Sequence, residues 1–304
     1  MRGQRGTGHS RRDDGSRPSG YLPPQVIDLV RNWGLTMGEP YPRAQHYVCA
    51  VNCRDGTPAV LKLGVPGGAG LAREAASLSA FAGRGAVRLL RADLERGALL
   101  LERVMPGRCA RELVPAHDSE AISVAVDVMR RLHRPAVPGT ELPGVATQAT
   151  ALRDYAARYG DAGPLPLPLV LRAGELIGAL CASATERVLL HGDLHHDNIL
   201  RATREPWLAI DPHGLIGDPG YDVGTLLFNP DPANRDEALT ALVPARVAQL
   251  AAELAMPAEL VVAWGFVKAV LSEVWSVEDQ DAAGRGFVPG RALDVAGVLA
   301  PGLP

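Results

Sequence analysis

His191-Gly192-Asp193-Leu194-His195-His196-Asp197-Asn198, with Asp211 thirteen residues further on, is the stretch on which the reading of this chain turns. It lies within VLLHGDLHHDNILRATREPWLAID, where the apolar run Val188–Leu190 ends in a polar loop and a second run, Trp207–Ile210, ends in a lone aspartate. The loop has the spacing H-x-D-L-x-x-x-N, which sets a carboxylate for an acceptor proton ahead of an amide that can ligate a cation. A base, plus an amide and a carboxylate for Mg2+, is the minimum set for moving a γ-phosphoryl group. The spacing therefore predicts phosphoryl transfer, with Asp193 as base and Asn198 and Asp211 as Mg2+ ligands. Taken singly, each has a plainer reading: a turn-capping carboxylate, a turn asparagine, a strand end before Pro212. Their joint spacing favours the chemistry.

The same window is dense in histidine: His191, His195, His196 and His213. Gly192-Asp193-Leu194-His195 matches the G-D-x-H element of binuclear metallophosphohydrolases, but the chain has no D-x-H upstream and no G-N-H-[DE] downstream. No cysteine stands at zinc-ligand spacing from these histidines. The expectation is that His191 braces the loop through hydrogen bonds and that His195 and His196 are solvated or line a cleft.

Composition sets the bounds. The chain has 304 residues, is 47% hydrophobic and carries a net charge of −3. That allows two lobes with a full core and gives no basic field for nucleic acid. Cys49, Cys53, Cys109 and Cys181 lack C-x-x-C spacing and read as buried, reduced thiols of a cytoplasmic protein. No run of about 18 apolar residues predicts a membrane span. Residues 1–20, MRGQRGTGHSRRDDGSRPSG, lack the apolar segment of a signal peptide and read as a disordered tail.

A small β-rich part is expected over 21–105 and a larger helical part over 106–304, an α+β bilobal architecture with a cleft between. In the first part, periodicity predicts a helix over 23–33, a hairpin of 46–53 and 58–63 around Asp55-Gly56, a helix over 71–82 and strands over 87–92 and 98–104. Lys62 lies within Ala59-Val60-Leu61-Lys62-Leu63. An ammonium inside an apolar strand must reach a polar partner; phosphate is one, and Glu74 on the following helix is the candidate counter-ion. Gly64–Gly70 fails both the P-loop and the G-x-G-x-x-G patterns and reads as a connector, which leaves the phosphate-covering role to 40–45, with Arg43. The strand ending Leu101-Glu102-Arg103-Val104 runs into Pro106-Gly107 as a hinge, where adenine would meet backbone near Glu102 and Val104. Helices are expected over 118–134, with Asp118 or Ser119 as cap, and over 146–159, 169–184, 234–254, 259–281 and 293–299.

With these residues assembled, the chain resembles the aminoglycoside phosphotransferase superfamily and, within it, the streptomycin 6-kinase and hydroxyurea phosphotransferase family. The resemblance rests on Arg204-Glu205-Pro206-Trp207-Leu208-Ala209-Ile210-Asp211-Pro212, on Gly217-Asp218-Pro219-Gly220-Tyr221-Asp222, and on LSEVWSVED over 271–279. It implies a protein-kinase-like fold, ATP and Mg2+ as cofactors, Lys62 on the α/β-phosphates, and a small-molecule acceptor of the cationic aminocyclitol antibiotic type, with no obligate protein partner. Asp211-Pro212-His213 stands where protein kinases carry D-F-G, and the short step to Pro219 leaves no room for an activation segment. A guanidinium-bearing acceptor calls for an acidic pocket. Trp275, Glu278 and Asp279 are the candidates to line it, while Asp218 and Asp222 are expected to anchor the following helix.

Overall fold

The computed structural model describes residues 24–41, 46–136 and 139–303. The expected tail at 1–20 and most of the expected phosphate-covering loop, Arg43 included, lie outside the described residues. In the N-terminal part, α1 (Pro24–Trp33) leads into β1 (Thr36–Pro40), then β2 (Tyr47–Asn52) and β3 (Pro58–Leu63). Next come α2 (Ala69–Phe81), β4 (Leu89–Asp93) and β5 (Ala98–Glu102). The strands form one antiparallel sheet in the order β1-β2-β3-β5-β4. Strand alternation sorts β3 into two faces. Ala59 and Leu61 join Leu29 of α1 in a small core of their own, while Val60 packs toward the main core. Lys62, two residues after Val60, shares that second face.

The chain crosses over at 103–105 and its first strand beyond, β6 (Pro106–Cys109), pairs in the other part. There follow α3 (Asp118–Leu132), α4 (Ala149–Tyr159), α5 (Leu167–Ser183), β7 (Val188–Leu190), β8 (Ile199–Ala202), β9 (Trp207–Ala209) and β10 (Leu215–Gly217). Last come α6 (Thr225–Phe228), α7 (Glu237–Thr240), α8 (Val243–Leu254), α9 (Ala258–Ala282) and α10 (Arg291–Leu299). β6, β8 and β9 make a three-stranded sheet, and β7 pairs with β10. β7 is the apolar run that precedes the loop, whereas β6 and β10 are too short for a periodic signal and had no local mark.

α9 is the spine. Trp264, Phe266, Val267, Leu271 and Val274 are fully buried, each contributing roughly 1.5–3 kcal/mol of burial. Among the described residues it is the one helix long and apolar enough to cross a bilayer, yet most of it lies inside the fold. Three expectations need correction. The helix expected over 234–254 is two, because Pro244 lacks an N–H and disfavours helix before it, and Asp236 caps α7 by accepting from Ala238 N–H. Asp118 does not cap α3: His117 holds that position and Asp118 is the first helical residue. Of the four free cysteines, Cys49 alone is buried, the others half-buried.

The Asp118 carboxylate instead takes both arms of the Arg246 guanidinium, at 3.0 and 2.6 Å. Arg246 is 1% exposed and also donates to the carbonyls of Leu226 and Asn229. Removing one partner of such a pair strands a buried charge. Asp118→Ala is expected to cost about 3–5 kcal/mol in urea denaturation; a loss below ~1 kcal/mol would show that the pair contributes little.

Candidate active site

His191 ends β7 with its ring wholly buried. Its Nε2–H donates to Ile210 O at 2.8 Å and its Nδ1 accepts the Asp193 N–H at 3.3 Å. Burial holds the ring neutral, against the pull of Asp222. That tautomer serves both bonds and locks the loop to the end of β9, as its sequence position led one to expect. Beneath it, the buried Asp222 carboxylate accepts the N–H of His191 (2.9 Å), the N–H of Gly192 (2.7 Å) and the His133 ring (3.0 Å). Asp222 thus anchors the loop that begins at His191 and not the helix after it. Asp218 does act as a cap, accepting from Gly220 N–H at 2.8 Å and from Trp264 Nε1–H at 3.0 Å.

Asp193 projects from this braced loop with its side chain 30% exposed. Burial alone would raise its carboxyl; His195, Lys268 and His213 outweigh that and hold it well below the usual range. His195 stands 3.6 Å from Asp193 Oδ2 on one side and 3.6 Å from Asp197 Oδ2 on the other. Burial opposes its charge, but the two carboxylates push it up to about 9. Asn198 Nδ2 also lies 3.1 Å from His195 Nε2. His196, expected to be solvated or in the cleft, is instead fully buried, with neither ring nitrogen partnered. Burial pushes it down to about 3.

Asn198 Nδ2 donates to Asp193 O at 3.0 Å, which leaves its Oδ1 free to ligate. β8 and β9 pair Ile199 with Ala209, and Ile210 N–H reaches Asn198 O at 2.9 Å. Asn198 and Asp211 therefore sit at adjacent ends of two paired strands. Asp211 adopts φ 59°, a left-handed conformation that aspartate tolerates better than most residues. It meets Lys62 Nζ at 2.5 Å, and the same ammonium pairs with Glu74 at 2.7 Å. The chain thus brings together one cation and two carboxylates from β3, α2 and the end of β9. An oxygen-only pair of protein ligands, with phosphates for the rest, suits Mg2+.

Burial pushes Glu74 up to about 7, with Lys62 pulling it down and Asp211 pushing it further up. Burial also works against the Lys62 charge, but its two carboxylates win and raise it.

Glu102 points elsewhere. Its carboxylate is held by Arg204 Nε and Nη2, both at 2.8 Å, and by Arg88 N–H at 2.9 Å, so its side chain ties β5 to the β8–β9 hairpin. At the crossover, Val104 makes no backbone hydrogen bond among the described residues, which leaves its amide and carbonyl open.

A cavity of about 220 Å3 opens beside the catalytic loop, lined by Gly192, Trp275, Tyr221, His213, Arg73 and Gln148. Trp275 is part of that lining. Glu278 and Asp279 stand one turn of α9 beyond, outside that lining. Burial and the nearby Asp154 and Asp279 raise the Glu278 carboxyl. Arg73, Gln148, Tyr221 and the buried Lys268 carried no signal in the linear chain, because four separate elements supply them.

Two lobes, a lysine–glutamate pair facing an aspartate at the end of β9, and an open carboxylate on a braced loop define a phosphotransferase of kinase-like fold. A profile described as aminoglycoside/hydroxyurea antibiotic resistance kinase matches residues 35–280, and the chain belongs to that family. It is 36% identical to a hydroxyurea phosphotransferase of Kitasatospora aureofaciens over 91% of this chain and 78% of that protein. It is 34% identical to a streptomycin 6-kinase of Streptomyces griseus over 83% of this chain and 80% of that protein. Among solved structures, the choline kinase LicA from Streptococcus pneumoniae aligns over 91% of this chain and 97% of its own, at 12% identity and a TM-score of 0.63. The aminoglycoside phosphotransferase APH(4)-Ia with ADP and hygromycin B aligns at 14% identity and a TM-score of 0.59, over 91% and 97%. The chain is accordingly a nucleotide-dependent kinase.

Glu74 keeps its proton in the fold up to about pH 7 but releases it near 4.5 when unfolded. Stability from this group is fully present below pH 4.5 and is lost as the pH rises toward 7. Against Glu74→Gln, the wild type is expected to lose stability across that window by on the order of 1 kcal/mol per pH unit. Parallel urea-denaturation profiles of the two proteins would show that Glu74 is ionised throughout.

Proposed function

We propose that this kinase transfers the γ-phosphoryl group of ATP to a hydroxyl of an aminocyclitol antibiotic, streptomycin at its 6-hydroxyl foremost, and so inactivates it. The observation that carries this reading is the partly exposed Asp193 carboxylate, 3.8 Å from His213, which with Trp275 lines the neighbouring cavity. The streptomycin 6-kinase relative supports the acceptor class. Asp193 accepts the hydroxyl proton as the oxygen attacks phosphorus. Lys62, steadied by Glu74, holds the α/β-phosphates, and backbone near Glu102 and Val104 meets adenine. Asn198 Oδ1 and Asp211 would hold Mg2+, which when bound neutralises phosphate charge. The cationic groups of the acceptor face outward toward Glu278 and Asp279. ATP supply places the reaction in the cytoplasm, and the reaction needs no nucleic-acid, membrane or protein partner.

One observation favours a second acceptor. Of the residues named around the cavity none is acidic, Arg73 brings a guanidinium, and about 220 Å3 is small for a trisaccharide. A small neutral acceptor such as hydroxyurea fits that lining, and the hydroxyurea phosphotransferase relative supports it. A coupled ADP-release screen over streptomycin, other aminoglycosides and hydroxyurea separates the two readings by kcat/KM. In the same assay Asp193→Asn is expected to lose on the order of 10²–10⁴ in kcat with nucleotide affinity unchanged. A folded variant with wild-type kcat would remove Asp193 from the base role.

A further inference from the structure

Lys268 is a buried ammonium that none of the steps above uses. It lies on the face of α9 that carries Trp264 and Trp275, and it is 1% exposed. It forms no ion pair within 4 Å among the described residues. Its Nζ donates to Gly192 O at 3.0 Å and lies 3.5 Å from the Tyr221 hydroxyl. It also stands 4.4 Å from the Tyr221 ring centroid and 5.4 Å from that of Trp275. Burial pulls its basicity down, and Asp193 and Asp222 act through space to pull it back up. A leucine or methionine at this site would avoid the desolvation penalty of a buried charge, so the ammonium must be retained for something an apolar side chain cannot do.

Its partners indicate what. Gly192, Tyr221 and Trp275 all line the cavity beside Asp193, so Lys268 lies directly under its floor. The peptide joining Gly192 to Asp193 is held at both ends: its carbonyl accepts from Lys268, and its N–H reaches His191 Nδ1 at 3.3 Å. Gly192 itself has φ 86°, a conformation open to glycine, and its own N–H is fixed by Asp222. Rotation of that one peptide plane would swing Asp193 away from the cavity. Of its two tethers, one comes from the loop's own histidine and the other from α9, which also carries the Trp275 wall; Asp222, 30 residues further on, fixes the preceding peptide.

We propose that Lys268 is a positioning residue for the phosphoryl-transfer step, coupling the acceptor wall on α9 to the Gly192–Asp193 peptide so that Asp193 faces the acceptor hydroxyl. This rests on the reading of Asp193 as the base. It assigns to Lys268 an effect on turnover and none on nucleotide binding, since its contacts are all on the acceptor side of the loop.

The test is Lys268→Met, which keeps the stem and removes the donor, beside Lys268→Gln, which restores an uncharged donor, both in the full chain. With the best acceptor from the ADP-release screen, Lys268→Met is expected to lose on the order of 10–100-fold in kcat, the scale of a misplaced reacting group. The Kd for ADP, followed by titration calorimetry, stays within about threefold, on the same argument. Lys268→Gln recovers most of the loss. Amide exchange read by mass spectrometry over 188–198 speeds up in the Met variant and returns toward wild type in Gln. Wild-type kcat and exchange in Lys268→Met would overturn the proposal. So would a kcat loss that follows only the folded fraction, with Gln no better than Met. Should the wild type phosphorylate none of the acceptors, the acceptor assignment fails, and the exchange arm still decides for or against Lys268.

Discussion

A single buried carboxylate, that of Asp222, organises the site. It accepts two successive loop amides and a histidine ring, donors from two segments of the chain: the loop for two and the end of α3 for the third. A carboxylate with three donors stays ionised even when fully enclosed, and burial is here overcome by His133. The turn carrying Asp222 is in turn fixed from below, since Asp218 caps it and Trp264 of α9 bonds Asp218. Trp264 also meets Tyr221 edge-on at 5.5 Å. Loop geometry is therefore inherited from the buried core of α9, and it does not depend on the loop's own stiffness.

The cleft is arranged around an imbalance of charge. Lys62 faces two carboxylates, and only one can be fully compensated by a single ammonium. Asp211 is the better served, held below its usual range by Lys62 after burial is overcome; Glu74 is the one raised. An incoming cation and phosphates would redistribute these contacts, leaving Lys62 to Glu74 and to phosphate oxygens. The lobes are also joined by charge at the back, where Arg204 binds Glu102, Glu205 and the carbonyls of Gly83 and Ala86. The Arg204–Pro212 run thus makes the contact between lobes at one end and carries Asp211, the partner of Lys62, at the other.

Gly214 shows how closely the two parts meet at the site. A Cβ there would lie 1.9 Å from Ser77 Oγ on α2, so the turn after Asp211 must be bare for α2 to approach. The same approach brings Glu74 to Lys62 and Arg73 to the cavity that Trp275 lines. One helix thus reaches both places from adjacent residues, and its position sets both.

Local sequence determined a good deal of this protein. The alternation along 58–63 put Lys62 on the inner face of its strand, the loop spacing marked Asp193 and Asn198, and the hairpin that follows returned Asp211 beside them. These are short-range facts, decided by strand period and loop length. Trp275 was legible through its place in LSEVWSVED. The tertiary structure alone decided the rest: that Asp222 turns back onto the loop it follows, that Glu102 is spent on Arg204, that Asp118 pairs with Arg246 and does not cap, and that Lys268 reaches Gly192 and Trp275. A polar side chain on a helix chooses its partner from whatever packs against it, and burial forces that choice by making an unpaired group costly. The partner lies tens to more than a hundred residues away, where no local period can point to it.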